Sequence, residues 1–172
     1  MCRGRALSYD RLQEEVDHYA AAMVTAGVGK GDRVAVLACP GLEFWCAALA
    51  SLRIGAIWLG LNPRYRAREL SYLLEDCRPS LVLTVNELEG RRYRSELGEL
   101  LPRGARLAPL EEFPGPAGPI PEHVRQEVRR MALARRPGDA AALVYTSGST
   151  GRPKGALLSH YGLVRGASMQ VS

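Results

Sequence analysis

The chain has 172 residues, of which 47% are hydrophobic and 24% are charged. This length suits one domain-sized unit with a real core, and the composition excludes a disordered, collagen-like or coiled-coil protein. No apolar run reaches the about 20 residues that a membrane helix needs, and the first residues lack the apolar core of a signal peptide. We therefore expect a soluble, cytoplasmic protein without a membrane span.

Arginines and cysteines are the residue types that could mark a nucleic-acid or metal site. The net charge is +5, and 21 of the 23 basic residues are arginine. The densest group has no interleaved aromatic residues for base stacking, so a solvated helix face is favoured over a nucleic-acid patch. This group consists of Arg125, Arg129, Arg130, Arg135 and Arg136. The four cysteines lack zinc-ligand spacing with one another and with the three histidines, so we predict neither a metal site nor a nucleic-acid partner.

Short apolar runs alternate with helical patterns along residues 7–101. Ser8 is a suitable N-cap, and apolar residues then recur at helical spacing until Gly27. The predicted strands are 33–38, 56–61 and 80–85, and the helices that follow them are 42–54, 69–77 and 87–101. Strands separated by helices predict an α/β fold, doubly wound around a mostly parallel sheet.

Residues 102–121 have a different composition. Nine of these twenty residues are Pro or Gly, which predicts an exposed loop rather than a packed element. A basic helix is predicted over 122–135, and a last apolar strand is predicted over 140–145.

The segment after this strand carries the chemistry of the chain. It reads Thr146-Ser147-Gly148-Ser149-Thr150-Gly151-Arg152-Pro153-Lys154. Glycines let backbone N–H groups turn inward, hydroxyls add donors and lysine adds a positive charge, so the pattern predicts an anion cradle that favours phosphate. A passive hairpin loop does not account for the Pro-Lys-Gly ending before an apolar strand. A Walker loop is disfavoured because Pro153 stands where that pattern requires its second glycine.

Residues 145–155 resemble the phosphate-binding signature of the adenylate-forming (AMP-binding) superfamily at every fixed position. The superfamily includes acyl- and aryl-CoA synthetases, peptide-synthetase adenylation domains and firefly-type luciferases. Three more segments are similar to the family: 7–12 to its opening helix, 28–35 to its first core strand, and 55–65 to a Gly-Ala-x₅-Asn-Pro turn common in its CoA ligases. The resemblance implies that residues 1–172 are part of an N-terminal AMP-binding domain, with a strand, phosphate loop and strand over 140–159.

This resemblance implies a two-step reaction of the carboxylic acid–CoA ligase type. A carboxylate attacks the α-phosphate of ATP, which Mg²⁺ accompanies, to give an acyl-adenylate and pyrophosphate; a thiol, usually that of CoA, then takes the acyl group. In such enzymes the loop binds the β- and γ-phosphates through hydroxyl donors, close backbone approach at glycines and the lysine charge. The residues that match these roles are Thr146, Ser147, Gly148, Ser149, Thr150, Gly151 and Lys154.

The sequence also departs from the family pattern. The family's adenine- and ribose-binding stretches and its C-terminal domain, which supplies a catalytic lysine, have no counterpart here. Lys30 lies in a predicted turn and Lys154 in the phosphate loop, so we expect no catalytic residue in this chain. We expect an N-terminal fragment that is inactive alone and leaves a strand edge and apolar surface unpaired.

Two other functions stay open: a non-catalytic nucleotide- or polyanion-binding module, and a fragment of a peptide-synthetase adenylation domain. The Asn62-Pro63 turn favours the CoA ligase over the peptide synthetase. Fatty, aromatic and short-chain acids are all compatible with these residues. His160 is expected to be a first-turn helix residue after a Ser159 cap rather than a neighbour of the substrate, and Tyr145 is expected to pack in the sheet.

Overall fold

The computed structural model describes residues 7–115, 118–146 and 152–170. In these ranges, helices alternate with strands along most of the chain. The helices are α1 (Tyr9–Thr25), α2 (Leu42–Arg53), α3 (Ala67–Cys77), α4 (Tyr93–Leu100), α5 (Glu122–Leu133) and α6 (His160–Gln170). The strands are β1 (Arg33–Leu37), β2 (Ile57–Leu61), β3 (Leu81–Thr84), β4 (Arg106–Pro109), β5 (Ala140–Thr146) and β6 (Lys154–Ser159).

The six strands form one sheet in the order β4-β3-β1-β2-β5-β6. Strands β1 to β5 run parallel, and β6 pairs with β5 in the antiparallel direction. The sheet confirms the predicted doubly wound, mostly parallel α/β fold. Such a sheet requires nearly continuous apolar strands because helices cover both of its faces.

Each face of the sheet has its own apolar core, and β1 contributes to both. Val34 and Val36 pack with residues of α1, α2 and α5 on one face. Ala35 and Leu37 pack with residues of α3 and α4 on the other face. The alternation follows from strand geometry, in which successive side chains point to opposite faces.

The predicted loop over residues 102–121 is wrong for Arg106–Pro109, which form β4 and pair with β3. The next residue, Leu110, is 2% exposed, and its carbonyl oxygen accepts a hydrogen bond from the Tyr19 hydroxyl at 2.8 Å. Pro109 is tolerated because it ends a strand at the edge of the sheet, where a missing N–H costs little.

Helix α4 is shorter than the predicted helix over residues 87–101. Glu89 and Gly90 both have positive φ angles, of 52° and 81°, and they form a tight turn that Leu88 and Arg91 close by a β-bridge. Two successive residues with positive φ are typical of a type I′ turn, which a helix cannot contain. The helix therefore begins after this turn, at Tyr93.

Candidate phosphate-binding site

The predicted phosphate loop connects the paired strands β5 and β6. Their register places Thr146, the last residue of β5, opposite Lys154, the first residue of β6. The Thr146 hydroxyl also donates a hydrogen bond to the Lys154 carbonyl oxygen at 3.5 Å. The two ends of the predicted loop are therefore held side by side.

Thr146 and Lys154, the described residues that flank the loop, lie at the edge of the sheet where the parallel strands end. Strand β5 runs parallel to β2, with Ala142 opposite Trp58, so Thr146 lies at the same edge as the carboxyl ends of β1, β2 and β3. Open α/β sheets bind ligands in the crevice beyond the carboxyl ends of their strands. The fold thus places Thr146 and Lys154 where such sheets bind ligands.

The structure describes two of the seven residues that the sequence assigns to phosphate binding. Thr146 and Lys154 are both exposed at the loop end of the hairpin. The other five lie outside the described residues: Ser147, Gly148, Ser149, Thr150 and Gly151. A role for all seven in phosphate binding stays a prediction.

The two lysines of the chain have different electrostatic surroundings. The Lys154 ammonium group makes no ion pair or hydrogen bond with any residue that the structure describes, so its charge is available to an anion. Lys30 Nζ lies 2.6 Å from a carboxylate oxygen of Asp139 and donates to the Ala134 carbonyl oxygen at 3.2 Å. The hydrogen bond from Lys30 lowers the pKa of Asp139 below its usual range. Lys30 is thus engaged in a structural contact.

Gly155 leaves room for two side chains of β5 beside the site. A Cβ atom at this position would lie 2.9 Å from Leu143 Cδ1 and 3.4 Å from the ring of Tyr145. A contact of 2.9 Å is too short for a real Cβ atom, so any larger residue would displace its neighbours. A side chain at this position would therefore require Leu143 and the Tyr145 ring to shift.

The family model for AMP-binding enzymes matches residues 1–172. The chain belongs to the AMP-binding enzyme family. The match confirms the resemblance to adenylate-forming enzymes that residues 145–155 indicate.

The relatives of this AMP-binding chain include ligases and peptide synthetases. The 3-hydroxybenzoate–CoA/4-hydroxybenzoate–CoA ligase of Thauera aromatica is 32% identical over 164 residues, which are 93% of this chain and 31% of the ligase. Tyrocidine synthase 3 of Brevibacillus parabrevis is 32% identical over 166 residues, which are 95% of this chain and 2% of the synthase. The chain therefore spans less than a third of the length of either relative.

Solved structures of larger proteins contain the fold of this AMP-binding chain. ATP-bound MatB from Rhodopseudomonas palustris superimposes with a TM-score of 0.77 at 29% identity, covering 98% of this chain and 32% of MatB. A fatty acyl-adenylate ligase from L. pneumophila, in complex with acyl adenylate and pyrophosphate, superimposes with a TM-score of 0.66. At 24% identity, the second likeness shows the fold alone.

Helix α3 of the AMP-binding chain contacts both ends of the candidate loop. The Tyr145 hydroxyl donates a hydrogen bond to the Asp76 carboxylate. The Tyr72 hydroxyl donates to the Pro153 carbonyl oxygen at 3.1 Å. No sequence pattern marks Tyr72 or Asp76, because 81 and 69 residues separate them from their partners.

Tyr145 packs in the sheet, as the sequence predicts. Its ring contacts the second apolar core and lies beside Gly155. Burial raises the pKa of the Tyr145 hydroxyl, and the hydrogen bond to Asp76 raises it further. The hydroxyl therefore stays protonated and continues to donate to Asp76 at neutral pH.

His160 lies at the end of the hairpin that is far from the loop. Its neighbour Ser159 pairs with Ala140 at the start of β5, and the Ser159 side chain accepts a hydrogen bond from the Gly162 N–H at 3.1 Å. His160 is the first residue of α6, and burial lowers the pKa of its imidazole. The predicted first-turn position after a Ser159 cap is confirmed.

The predicted basic segment forms the exposed side of α5 and the turn after it. Arg130 lies 2.6 Å from Glu127, and Arg125 lies 3.7 Å from Glu122. Arg135 donates a hydrogen bond to the Leu52 carbonyl oxygen at 3.2 Å. The two contacts on α5 are those of a solvated helix face that carries its own counter-charges, whereas the Arg135 contact joins the turn after α5 to α2.

The described residues contain neither a cluster of metal-ligand side chains nor a helix suited to span a membrane. In residues 7–115, 118–146 and 152–170, no three His, Cys, Asp or Glu residues lie together as metal ligands would. None of the helices in the same ranges combines the length and apolarity that crossing a bilayer demands.

Proposed function

We propose that this chain provides the phosphate-binding part of an ATP-dependent carboxylic acid–CoA ligase. In the reaction, the carboxylate of the acid attacks the α-phosphate of ATP, which forms an acyl-adenylate and releases pyrophosphate. The CoA thiol then displaces AMP and takes the acyl group. The observation that carries this proposal is the β5–β6 hairpin, which places Lys154 beside Thr146 at the ends of a hydroxyl- and glycine-rich sequence. Among the described residues, none forms an ion pair with Lys154.

The proposed role of the loop is to bind the leaving diphosphate. A positive charge and fixed donors stabilise negative charge as it develops on the leaving group, which lowers the barrier to bond cleavage. Lys154 supplies the charge, and Thr146, Ser147, Ser149 and Thr150 supply hydroxyl donors. Gly148 and Gly151 let the backbone approach the phosphates. Mg²⁺ is proposed to enter with ATP, held largely by phosphate oxygens.

We propose that the protein is cytoplasmic. We also propose that this chain alone binds phosphates but does not complete the adenylation step. Members of the family use a lysine to bind the carboxylate of the acid substrate. Both lysines of this chain have other positions or contacts. Lys30 forms an ion pair with Asp139, and Lys154 lies in the phosphate hairpin. Neither is positioned to hold a carboxylate in addition.

A peptide-synthetase adenylation domain is the second candidate. Its support is the 32% identity to tyrocidine synthase 3, equal to the identity to the hydroxybenzoate–CoA ligase. The Asn62-Pro63 turn favours the CoA ligase. The two candidates differ in whether CoA is the acceptor of the acyl group. An assay of acyl transfer to CoA, in a protein that contains this segment at the full length of its relatives, distinguishes them.

Calorimetric titration with inorganic tripolyphosphate and with Mg-ATP tests the phosphate site in this chain directly. We expect Lys154→Ala to weaken tripolyphosphate binding at least about tenfold, because a charge-assisted contact is lost. Lys30→Ala is the matched control, since it removes the other lysine at the opposite end of the sheet. Equal affinities in the wild type and Lys154→Ala would contradict the proposal.

A non-catalytic module, the third candidate, should bind Mg-ATP much more tightly than tripolyphosphate, because it would also contact adenine and ribose.

A further inference from the structure

Two side chains in successive turns of α3 connect this helix to the candidate loop. Tyr72 and Asp76 are four residues apart, so they lie on the same side of the helix. Tyr72 donates a hydrogen bond to the carbonyl oxygen of Pro153, the residue before Lys154. Asp76 accepts a hydrogen bond from Tyr145, the residue before Thr146. Each contact is thus adjacent in the chain to a described residue of the candidate site.

We infer that Tyr72 and Asp76 are positioning residues that hold the two ends of the phosphate loop at a fixed place relative to the sheet. The inference rests on the proposed function, because it concerns the same loop. Tyr72 acts through the hairpin backbone, and Asp76 acts through Tyr145. Together they determine where the Thr146 hydroxyl and the Lys154 charge are presented.

Helix α3 is a firm support for these contacts because both of its ends are fixed. At its start, the Arg66 N–H donates to the Glu69 carboxylate at 2.8 Å, which satisfies a backbone group that the helix leaves free. At its end, the Arg33 guanidinium donates to the carbonyl oxygens of Cys77 and Arg78 at 2.8 and 2.7 Å. The buried face of the helix is apolar and consists of Leu70, Leu73, Leu74 and Cys77.

The contact of Tyr145 with α3 affects both strands of the β5–β6 hairpin. The Tyr145 ring lies against Gly155 on the opposite strand, so the hydrogen bond to Asp76 fixes both strands together. The cross-strand pairing of Thr146 with Lys154 then transmits that position to the residues that face the loop. Donors that are fixed before the ligand arrives do not lose conformational freedom on binding. Such fixed donors are what electrostatic stabilisation of a leaving group requires.

Hydrogen–deuterium exchange of the intact chain tests the inference without a ligand. We expect Tyr72→Phe and Asp76→Ala each to raise the exchange rate in the peptide covering residues 145–156 by about 2- to 10-fold, the factor that one lost hydrogen bond allows. Asp76→Asn keeps an oxygen acceptor for Tyr145 and should restore the slow exchange. Tyr19→Phe is the control, because it removes a buried tyrosine–carbonyl hydrogen bond on the opposite face of the sheet. It should lower the melting temperature and leave this peptide unchanged.

Titration with tripolyphosphate separates this inference from the proposed function. If both hold, Tyr72→Phe and Asp76→Ala weaken binding by about 2- to 10-fold, Lys154→Ala weakens it more, and Asp76→Asn and Tyr19→Phe bind like the wild type. If only Lys154→Ala weakens binding, the positioning role is overturned and the proposed function stands. If the wild type binds no tripolyphosphate, the proposed function fails for this chain, and exchange alone decides the positioning role. Unchanged exchange in Tyr72→Phe and Asp76→Ala overturns that role in every case.

Discussion

Lys154 carries a charge that no described side chain neutralises. In an enzyme that contains this segment at the full length of its relatives, we expect Lys154→Ala to slow adenylation by about 100-fold, the usual cost of removing an electrostatic donor from a developing negative charge. ATP–pyrophosphate exchange measures this step. Lys30→Ala should leave the exchange rate near the wild-type value. An unchanged rate in Lys154→Ala would contradict the proposed role of Lys154 in stabilising the leaving diphosphate.

Gly155 is a position where adding a single methyl group should affect stability. We expect Gly155→Ala to destabilise the chain by about 1 kcal/mol, because the added methyl group overlaps the end of the Leu143 side chain, which must shift to make room. Urea unfolding measures the loss. Gly166→Ala in α6 is the matched control, because a Cβ atom there meets nothing within 4 Å. That change should be neutral or slightly stabilising, since alanine favours a helix; equal effects of the two substitutions would argue against close packing at Gly155.

The link between α4 and the turn after β2 depends on a charged pair. Arg91 lies 2.6 Å from Glu96 and also donates to the carbonyl oxygens of Pro63 and Tyr65 at 3.0 and 2.7 Å. The hydrogen bonds from Arg91 hold the pKa of Glu96 below its usual range. Because the folded pKa is the lower one, the pair stabilises the fold above the unfolded pKa of about 4.3. This stabilisation is lost as the pH falls through the folded value.

We therefore expect Glu96→Gln to lower the free energy of unfolding by about 1 kcal/mol at pH 7. This difference between the variant and the wild type should become smaller as the pH falls below about 4. Urea titrations at several pH values measure the difference. Glu99→Gln removes a carboxylate from the same helix, but Glu99 has no ion pair among the described residues. It should show no such pH dependence, and a pH-independent effect of Glu96→Gln would exclude the charged pair as its cause.

The core elements of this fold could be predicted from apolar patterning, and the edge elements could not. Strands β1, β2 and β3 are continuous apolar runs because both of their faces are covered. Strand β4 is mostly half-buried and contains Arg106 and Pro109, so its composition resembles that of a loop. Its pairing with β3 depends on backbone hydrogen bonds, which leave no trace in side-chain composition. The start of α4 was missed for a local reason, the turn at Glu89 and Gly90.

The candidate site divides in the same way. Its chemistry is concentrated in one short segment, so a sequence motif suffices to propose Thr146 and Lys154. The residues that position the hairpin belong to α3, which is distant in the chain. Tyr72 and Asp76 are residue types that are common on helix surfaces, so the sequence does not distinguish them. Only the fold brings them to the hairpin. Motifs identify groups that touch a ligand, whereas positioning groups require a structure.

The molecule presents an unusual amount of apolar surface on its last strand and helix. Leu157 is 62% exposed on β6, and Tyr161 and Val164 are 58% and 67% exposed on α6. In the part of the chain that the structure describes, β6 is also an edge strand of the sheet, and one of its sides has no partner strand. The finding agrees with the apolar surface and free strand edge expected from the sequence.

We therefore expect the chain to self-associate as its concentration rises, and Leu157→Lys to reduce this association, because a charge on an edge strand opposes pairing with another chain. Sedimentation velocity measures the effect. Leu133→Lys adds the same charge at an even more exposed leucine of α5 and should not reduce association. A wild-type chain that stays monodisperse and melts cooperatively as a monomer would refute this expectation.

The pairing of β5 with β2 also has a consequence for the order of folding. Trp58 and Ala142 lie side by side although 84 residues separate them along the chain. Contacts between such distant segments form slowly, because closing the intervening chain costs entropy before the new contacts offset it. Strands β5 and β6 are joined by only seven residues, so this hairpin can form within microseconds. When the denatured chain refolds, we expect the β5–β6 hairpin to form before β5 pairs with β2, and to be open to proteases until that pairing is made.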